Sequence, residues 1–141
     1  MKALRFAVLP LLAAGCVELT PQDTEVTAWE AQLIPGLSRP DLAGQVAAAV
    51  QAGGTDAGIG ITGAAPGDVH TWGLWAGTCT ATGNLIGLGE DYPTLAVSDS
   101  GKATAETHLG PRLSADSSYH AELRESATDT TRIACGNLQK R

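Results

Sequence analysis

Cysteine placement constrains this chain more than any other feature. Three cysteines stand at positions 16, 79 and 135. Cys79 ends the run His70-Thr71-Trp72-Gly73-Leu74-Trp75-Ala76-Gly77-Thr78-Cys79, in which a strand pattern runs into a Gly-Thr-Cys turn. Cys135 sits inside Arg132-Ile133-Ala134-Cys135-Gly136. A bridge between these two would tie together segments far apart in the chain. No CxxC pair or Cys/His cluster is present, so the cysteines read as a disulfide framework and not as a metal site.

The fate of Cys16 follows from its surroundings. Lys2 and Arg5 form a positive start, Phe6 to Ala14 an apolar stretch too short to span a bilayer, and Ala13-Ala14-Gly15-Cys16 a small-residue site ending in cysteine. This order resembles a bacterial lipoprotein signal, which implies cleavage after Gly15 and a diacylglycerol on the Cys16 thiol. The competing reading is plain secretion with cleavage near Ala14. Acylation takes Cys16 out of the disulfide count and leaves Cys79 and Cys135 to pair in an oxidising compartment. Residues 1–15 are then a signal peptide, 16–25 a polar tether from the lipid, and 26–141 one folded domain.

Loss of Lys2 and Arg5 takes the formal net charge from −6 to −8. An acidic surface repels phosphate backbones and anionic lipid, so nucleic acid is excluded as a partner, and the membrane would be reached through the lipid on Cys16. With 43% hydrophobic but only 4% aromatic residues, the core must be built from Val, Leu, Ile and Ala, with the three Trp as its large pieces. Seventeen Gly and seven Pro favour short strands joined by turns. The patterns predict strands over Val26–Leu33, Leu42–Gln51, Asp56–Gly63, Val69–Ala76, Thr94–Val97, Lys102–Leu109, Tyr119–Glu125 and Arg132–Cys135. Val46-Ala47-Ala48-Ala49-Val50 has helical propensity, yet Gly44 and Gly53-Gly54 bracket it and no capping box precedes it, so it is assigned to a strand. Asp99-Ser100-Gly101 is a hairpin turn, and Cys79 to Pro93 reads as a long loop touching the core near Leu85-Ile86. About eight short strands at this spacing make an all-β, antiparallel β-sandwich or flattened barrel.

Several pieces, in order, resemble Cu,Zn superoxide dismutase-like domains: Pro66 to Trp75 followed by Gly77-Thr78-Cys79, then Ser100-Gly101-Lys102-Ala103, then Tyr119 to Arg124 leading to Ile133-Ala134-Cys135-Gly136. The resemblance covers about Val26 to Leu138 and implies a Greek-key barrel. In that family the strand before the first cysteine reads Gly-Leu-His-Gly-Phe-His-Val-His, whose last two His hold copper while the first packs inside. On this chain the inner His falls on His70, the core aromatic on Trp72, and the two copper positions on Gly73 and Trp75. The later copper position falls on Arg124, whose permanent positive charge opposes a cation. The loop that supplies zinc ligands in the family contains no His here between Thr80 and Pro93. The resemblance therefore implies the fold without a metal cofactor and without the dismutase activity, because dismutation needs a redox metal.

Strand alternation puts His70, Trp72 and Leu74 on one face and Thr71, Gly73 and Trp75 on the other, with Tyr119, Ala121 and Leu123 opposed to His120, Glu122 and Arg124. The apolar sets must face the core. Trp75, His120, Glu122 and Arg124 then share the outward face as a candidate binding patch. Its plainest role is structural, with Arg124 stacked on Trp75 or paired to Glu122 at about 1 kcal/mol or less. His70 is expected to be buried and bonded to backbone, and His108 to be solvated. No Gly-x-Ser-x-Gly elbow, P-loop or dinucleotide fingerprint occurs, and Glu90-Asp91, Asp99 and Asp129 read as loop acids. Three functions stay open. The first is a non-catalytic, lipid-anchored interaction or structural module of a bacterial cell envelope, in the outer membrane or periplasm of a Gram-negative host because Val17 and Glu18 lack an inner-membrane retention Asp. The second is a divergent copper or zinc dismutase using His70, His108 or His120, and the third a lipoprotein binding a small ligand at Trp75 and Arg124. The protein or small-molecule partner is not named by the sequence.

Overall fold

A computed structural model of the chain describes residues 26–141. The signal peptide, the lipidation site Cys16 and the tether lie outside the described residues. Ten strands follow in order: β1 (Ala28–Pro35), β2 (Ala43–Gln51), β3 (Gly54–Thr62), β4 (Val69–Thr78), β5 (Ala81–Leu85), β6 (Leu95–Ala96), β7 (Ala103–Leu109), β8 (Tyr119–Arg124), β9 (Arg132–Asn137) and β10 (Gln139–Lys140). The path β5-β4-β8-β9-β1-β2-β3-β7 is one curled antiparallel sheet, with β10 added to β1 and β6 to β4. No helix among the described residues is long and apolar enough to cross a membrane.

The alternation read from the sequence is what the sheet uses. In β2, Val46 and Ala48 are buried while Gln45 and Ala47 are exposed. Val46 pairs with Ala31 on one side and Ile59 on the other, and ladders on both edges outweigh the helical propensity of the alanines. Strands β4, β6 and β7 follow one another in space, the last two joined through a turn in which Ser98 N–H donates to the Lys102 carbonyl at 2.9 Å. β8 then returns by a long connection to pair with β4. The spatial order β8-β4-β6-β7 is a Greek key. Curling lets Trp29, Leu33, Ile59, Ile61, Leu74, Leu109 and Leu123 meet in one core. The sheet turns the corner where Ile34 and Pro35 of β1 pair with Cys135 and Ala134 of β9, and Pro35 stands at the strand end, where a missing N–H is tolerated.

The region after Cys79 departs from the expected loop. It holds β5 and a 3-10 turn at Gly89–Asp91. The sequence Ala-Thr-Gly-Asn-Leu carries no alternation because β5 is exposed along most of its length, so periodicity could not find it. Gly77 makes the β4–β5 turn possible: its φ is +89°, and a Cβ there would lie 2.2 Å from the Ala81 carbonyl oxygen. Further on, Tyr92 Oη donates to the Ile86 carbonyl at 2.6 Å and accepts from Leu74 N–H at 3.3 Å. Trp72 Nε1–H donates to the Pro93 carbonyl at 2.9 Å, with its ring edge-on to Tyr92 at 5.1 Å. Burial, only partly offset by the Leu74 hydrogen bond, pushes the Tyr92 hydroxyl up to about 12, so it stays a neutral donor. Both ends of the segment are thus laid down against β4, while the 3-10 turn between them meets β7 through Thr107.

Cys79 and Cys135 form the disulfide, with Cα atoms 6.0 Å apart and a sequence separation of 56. Closing a loop of that size removes unfolded-state entropy worth about 4 kcal/mol in the chain-entropy model. Reduction, or Cys135→Ser, is expected to lower the melting temperature by about 10–20 °C. A calorimetric melt that stays put after thiol titration has verified reduction would contradict this.

Candidate functional site

The outer face of β4, β8 and β9 carries a small grid of side chains fixed by strand register. Across the three strands, Thr71 pairs with Arg124, which pairs with Arg132; Gly73 pairs with Glu122, which pairs with Cys135; and Trp75 pairs with His120, which pairs with Asn137. Residues directly opposite one another point the same way, so the grid is contiguous. Trp75, His120, Glu122 and Arg124 do come together here.

They do not form an open patch. Trp75 is 8% exposed, His120 0% and Glu122 3%, and only Arg124 keeps part of its side chain in solvent. The expected solvent-facing surface is corrected by what lies over it. The disulfide draws Cys79 onto Cys135. Cys79 N–H then donates to Asn137 Oδ1 at 2.8 Å, and Arg132 Nη1 donates to the Cys79 carbonyl at 2.8 Å. Thr82 Oγ1 donates to Glu122 Oε1 at 3.2 Å. A side chain at position 73 would meet Leu85 Cδ1 at 2.9 Å and the Trp75 ring at 3.0 Å. Alternation assigns a face to each residue but says nothing of side chains that fold over that face from the edge strand β5 and the disulfide, which is why sequence reasoning left this one open.

Glu122 is the hub. Its Oε2 accepts from Arg124 Nε at 3.1 Å and Nη2 at 2.8 Å, and its Oε1 lies 3.3 Å from Arg132 Nη1 and 3.2 Å from His120 Nε2. Burial pushes the carboxyl pKa up, but hydrogen bonds from Arg124 and His120 and the nearby guanidinium charge outweigh it, so the group is held below the ordinary carboxylate range. The Arg124 guanidinium carbon sits 4.5 Å from the centre of the Trp75 ring, and that ring stacks on His120 at 6.2 Å and 27°. Arg124 thus makes both contacts open to it, on Trp75 and on Glu122. With His120 Nε2–H donating towards Glu122 and Thr82, His120 Nδ1 is a buried acceptor without a partner.

The structure adds Thr82 and Arg132 to the residues found from sequence and brings the bridge cysteine Cys135 beside them. The ligand-capable atoms of His120, Glu122 and Cys135 all lie within 4.8 Å of one another. The signal for this group was the i, i+2 spacing of His120 and Glu122 on one strand, with a cysteine opposite Glu122 on the next. His70 and His108 are not drawn in. His70 is 1% exposed, faces the other side of β4 and donates from Nδ1 to the Glu125 carbonyl at 2.8 Å. Its Nε2 is 3.8 Å from the Asp68 carboxylate, which Arg39 links to Glu125. His108 is exposed and pairs with Asp56 at 2.6 Å, a hydrogen bond that raises its pKa. A shallow concavity of about 620 Å³ lies elsewhere, on the outer face of β1, β2, β3 and β7, with Ala47 and Ala49 in its floor. Neither a family model nor a curated protein matches the chain.

Because the folded pKa of Glu122 is depressed, its charge contributes stability above the ordinary carboxylate range, and that contribution is lost as pH falls through the folded value. Glu122→Gln is expected to cost about 3 kcal/mol at neutral pH by leaving two guanidinium groups without their counter-charge. Urea unfolding followed from neutral to acid pH should show a steeper loss for the native chain than for the variant. Parallel acid limbs would contradict the role given to Glu122.

Proposed function

We propose that this chain is a non-catalytic relative of the Cu,Zn superoxide dismutase-like domains, lipid-anchored through Cys16 in a bacterial cell envelope, where it serves as an interaction or structural module. The Greek-key order and the Cys79–Cys135 bridge support the resemblance. One observation carries the loss of activity: the three positions that correspond to the family's copper ligands do not fit a metal. Gly73 offers no ligand atom, and the Trp75 ring and Leu85 crowd the space above it. Arg124 lies on that ring with its guanidinium bound to Glu122, so a fixed positive charge stands where the cation would sit. This packing leaves no ligand set for the family's electron transfer at those three positions.

What remains is a stiff, covalently braced, acidic β-domain on a lipid tether. A second protein of the envelope is its natural partner under this reading, because the charged cluster around Glu122 is covered and paired internally and offers a small ligand little access.

Metal analysis of the purified, disulfide-intact protein is expected to show no stoichiometric copper, and a superoxide assay no activity above buffer. Stoichiometric copper together with dismutation would overturn the proposal. For the anchor, Cys16→Ser should shift the protein from the membrane pellet to the soluble fraction, with the native chain resisting a high-salt wash because a lipid and not charge holds it. Identical partitioning of the two chains would remove the anchor from the account.

A further inference from the structure

The His120, Glu122 and Cys135 group has three properties that a sheet-bracing cluster does not need. All three residues are buried, their ligand-capable atoms converge within 4.8 Å, and His120 Nδ1 has no partner. A buried imidazole nitrogen left as an orphan acceptor costs stability unless something donates to it or binds it. Cys79 completes the group, since its sulfur is bonded to that of Cys135. Thiolate, imidazole and carboxylate are the ligand types of four-coordinate zinc sites.

We propose that cutting the Cys79–Cys135 bridge turns this cluster into a binding site for a divalent cation of the zinc class, with Cys79, Cys135, His120 and Glu122 as its ligands. The reductant required is a dithiol. The bridging S–S bond breaks, two cysteine thiols form, and the dithiol is oxidised to its own disulfide; the incoming ion then displaces one proton from each thiol. Cys79 is the more exposed of the two cysteines and is where a reductant can attack. Three non-covalent contacts favour the return of Cys79 to the cluster when an ion binds: its N–H on Asn137, its carbonyl on Arg132, and Thr82 on Glu122. The neighbouring guanidinium groups of Arg124 and Arg132 favour thiolate over thiol and offset the charge of three anionic ligands. While oxidised, the chain keeps the site shut; while reduced, the ion takes over the bracing that the disulfide supplied. The four ligands are not the residues at the family's copper positions, although Glu122 shares its Oε2 with Arg124, and the site does not depend on the family reading.

Cobalt(II), added alone, is the probe, because thiolate ligation gives it a strong ligand-to-metal absorption band. Protein reduced with dithiothreitol and freed of it by anaerobic desalting is expected to take up one cobalt per chain with that band and with its β-sheet circular dichroism intact. The oxidised protein is expected to show no band. Glu122→Gln, which keeps side-chain shape, and His120→Gln, which removes the imidazole, should each weaken binding by about tenfold or more, and Cys79→Ser should lose about half of the band's intensity, as expected for one thiolate of two. Three results would overturn the proposal: a reduced, folded protein without the band, equal binding by the native chain and both glutamine variants, or a sheet that is lost on reduction and not restored by cobalt.

Discussion

The bond between Cys79 and Cys135 decides what the rest of this molecule can be. By itself it joins the end of β4 to the middle of β9. Its larger effect is to lay Cys79 to Leu85 across a sheet face that would otherwise meet water. Once that segment is down, Glu122 and His120 are interior residues, and their polar atoms must be satisfied by the protein. The two arginines and Thr82 supply most of that satisfaction. A covalent constraint thus creates a local demand for hydrogen bonds, and the sequence meets it from three strands.

Placing a carboxylate under a strand is costly, and an apolar residue of similar volume would often pack at least as well. Glu122 therefore adds specificity more than raw stability. Its two oxygens take five donors from four residues with defined directions, and a slip of β8 by one residue against β4 would turn Glu122 into the core and Leu123 out of it. Trp75 shares in this. It covers the space above Gly73, stacks on His120 and carries Arg124 on its outer side. Bulk at position 75 and emptiness at position 73 are one packing solution, and under the proposed family reading they stand where two copper ligands would.

The all-β class, nearly every long strand and the disulfide were legible in the sequence because each rests on local pattern or on cysteine arithmetic. Val46 to Val50 shows where pattern beat propensity, since flanking glycines and missing caps outweighed a run of alanines. Two short strands escaped. β5 has no alternation because one edge of it pairs while most of its side chains face water, and Gln139–Lys140 is a two-residue extension of the β1 ladder with no signal of its own. For the site, period-two reasoning named the right four residues and the right shared face. It could not name Thr82 or Arg132, whose roles follow from a strap held down by a bridge fifty-six residues long. Burial of a second sheet face is a tertiary fact, invisible until the covering strand is in place.

Amide hydrogen exchange, resolved by residue, tests the central claim most directly: that the bridge holds a strap over a buried charged cluster. With the disulfide intact, the Cys79 and Ile86 amides, bonded to Asn137 and to the Leu74 carbonyl, should be protected. Reduction in the absence of metal should speed exchange across Cys79 to Leu85 far more than at the paired centres of β2 and β3 around Val46 and Ile59. Unprotected strap amides in the oxidised protein, or a change on reduction spread evenly over all strands, would contradict the account.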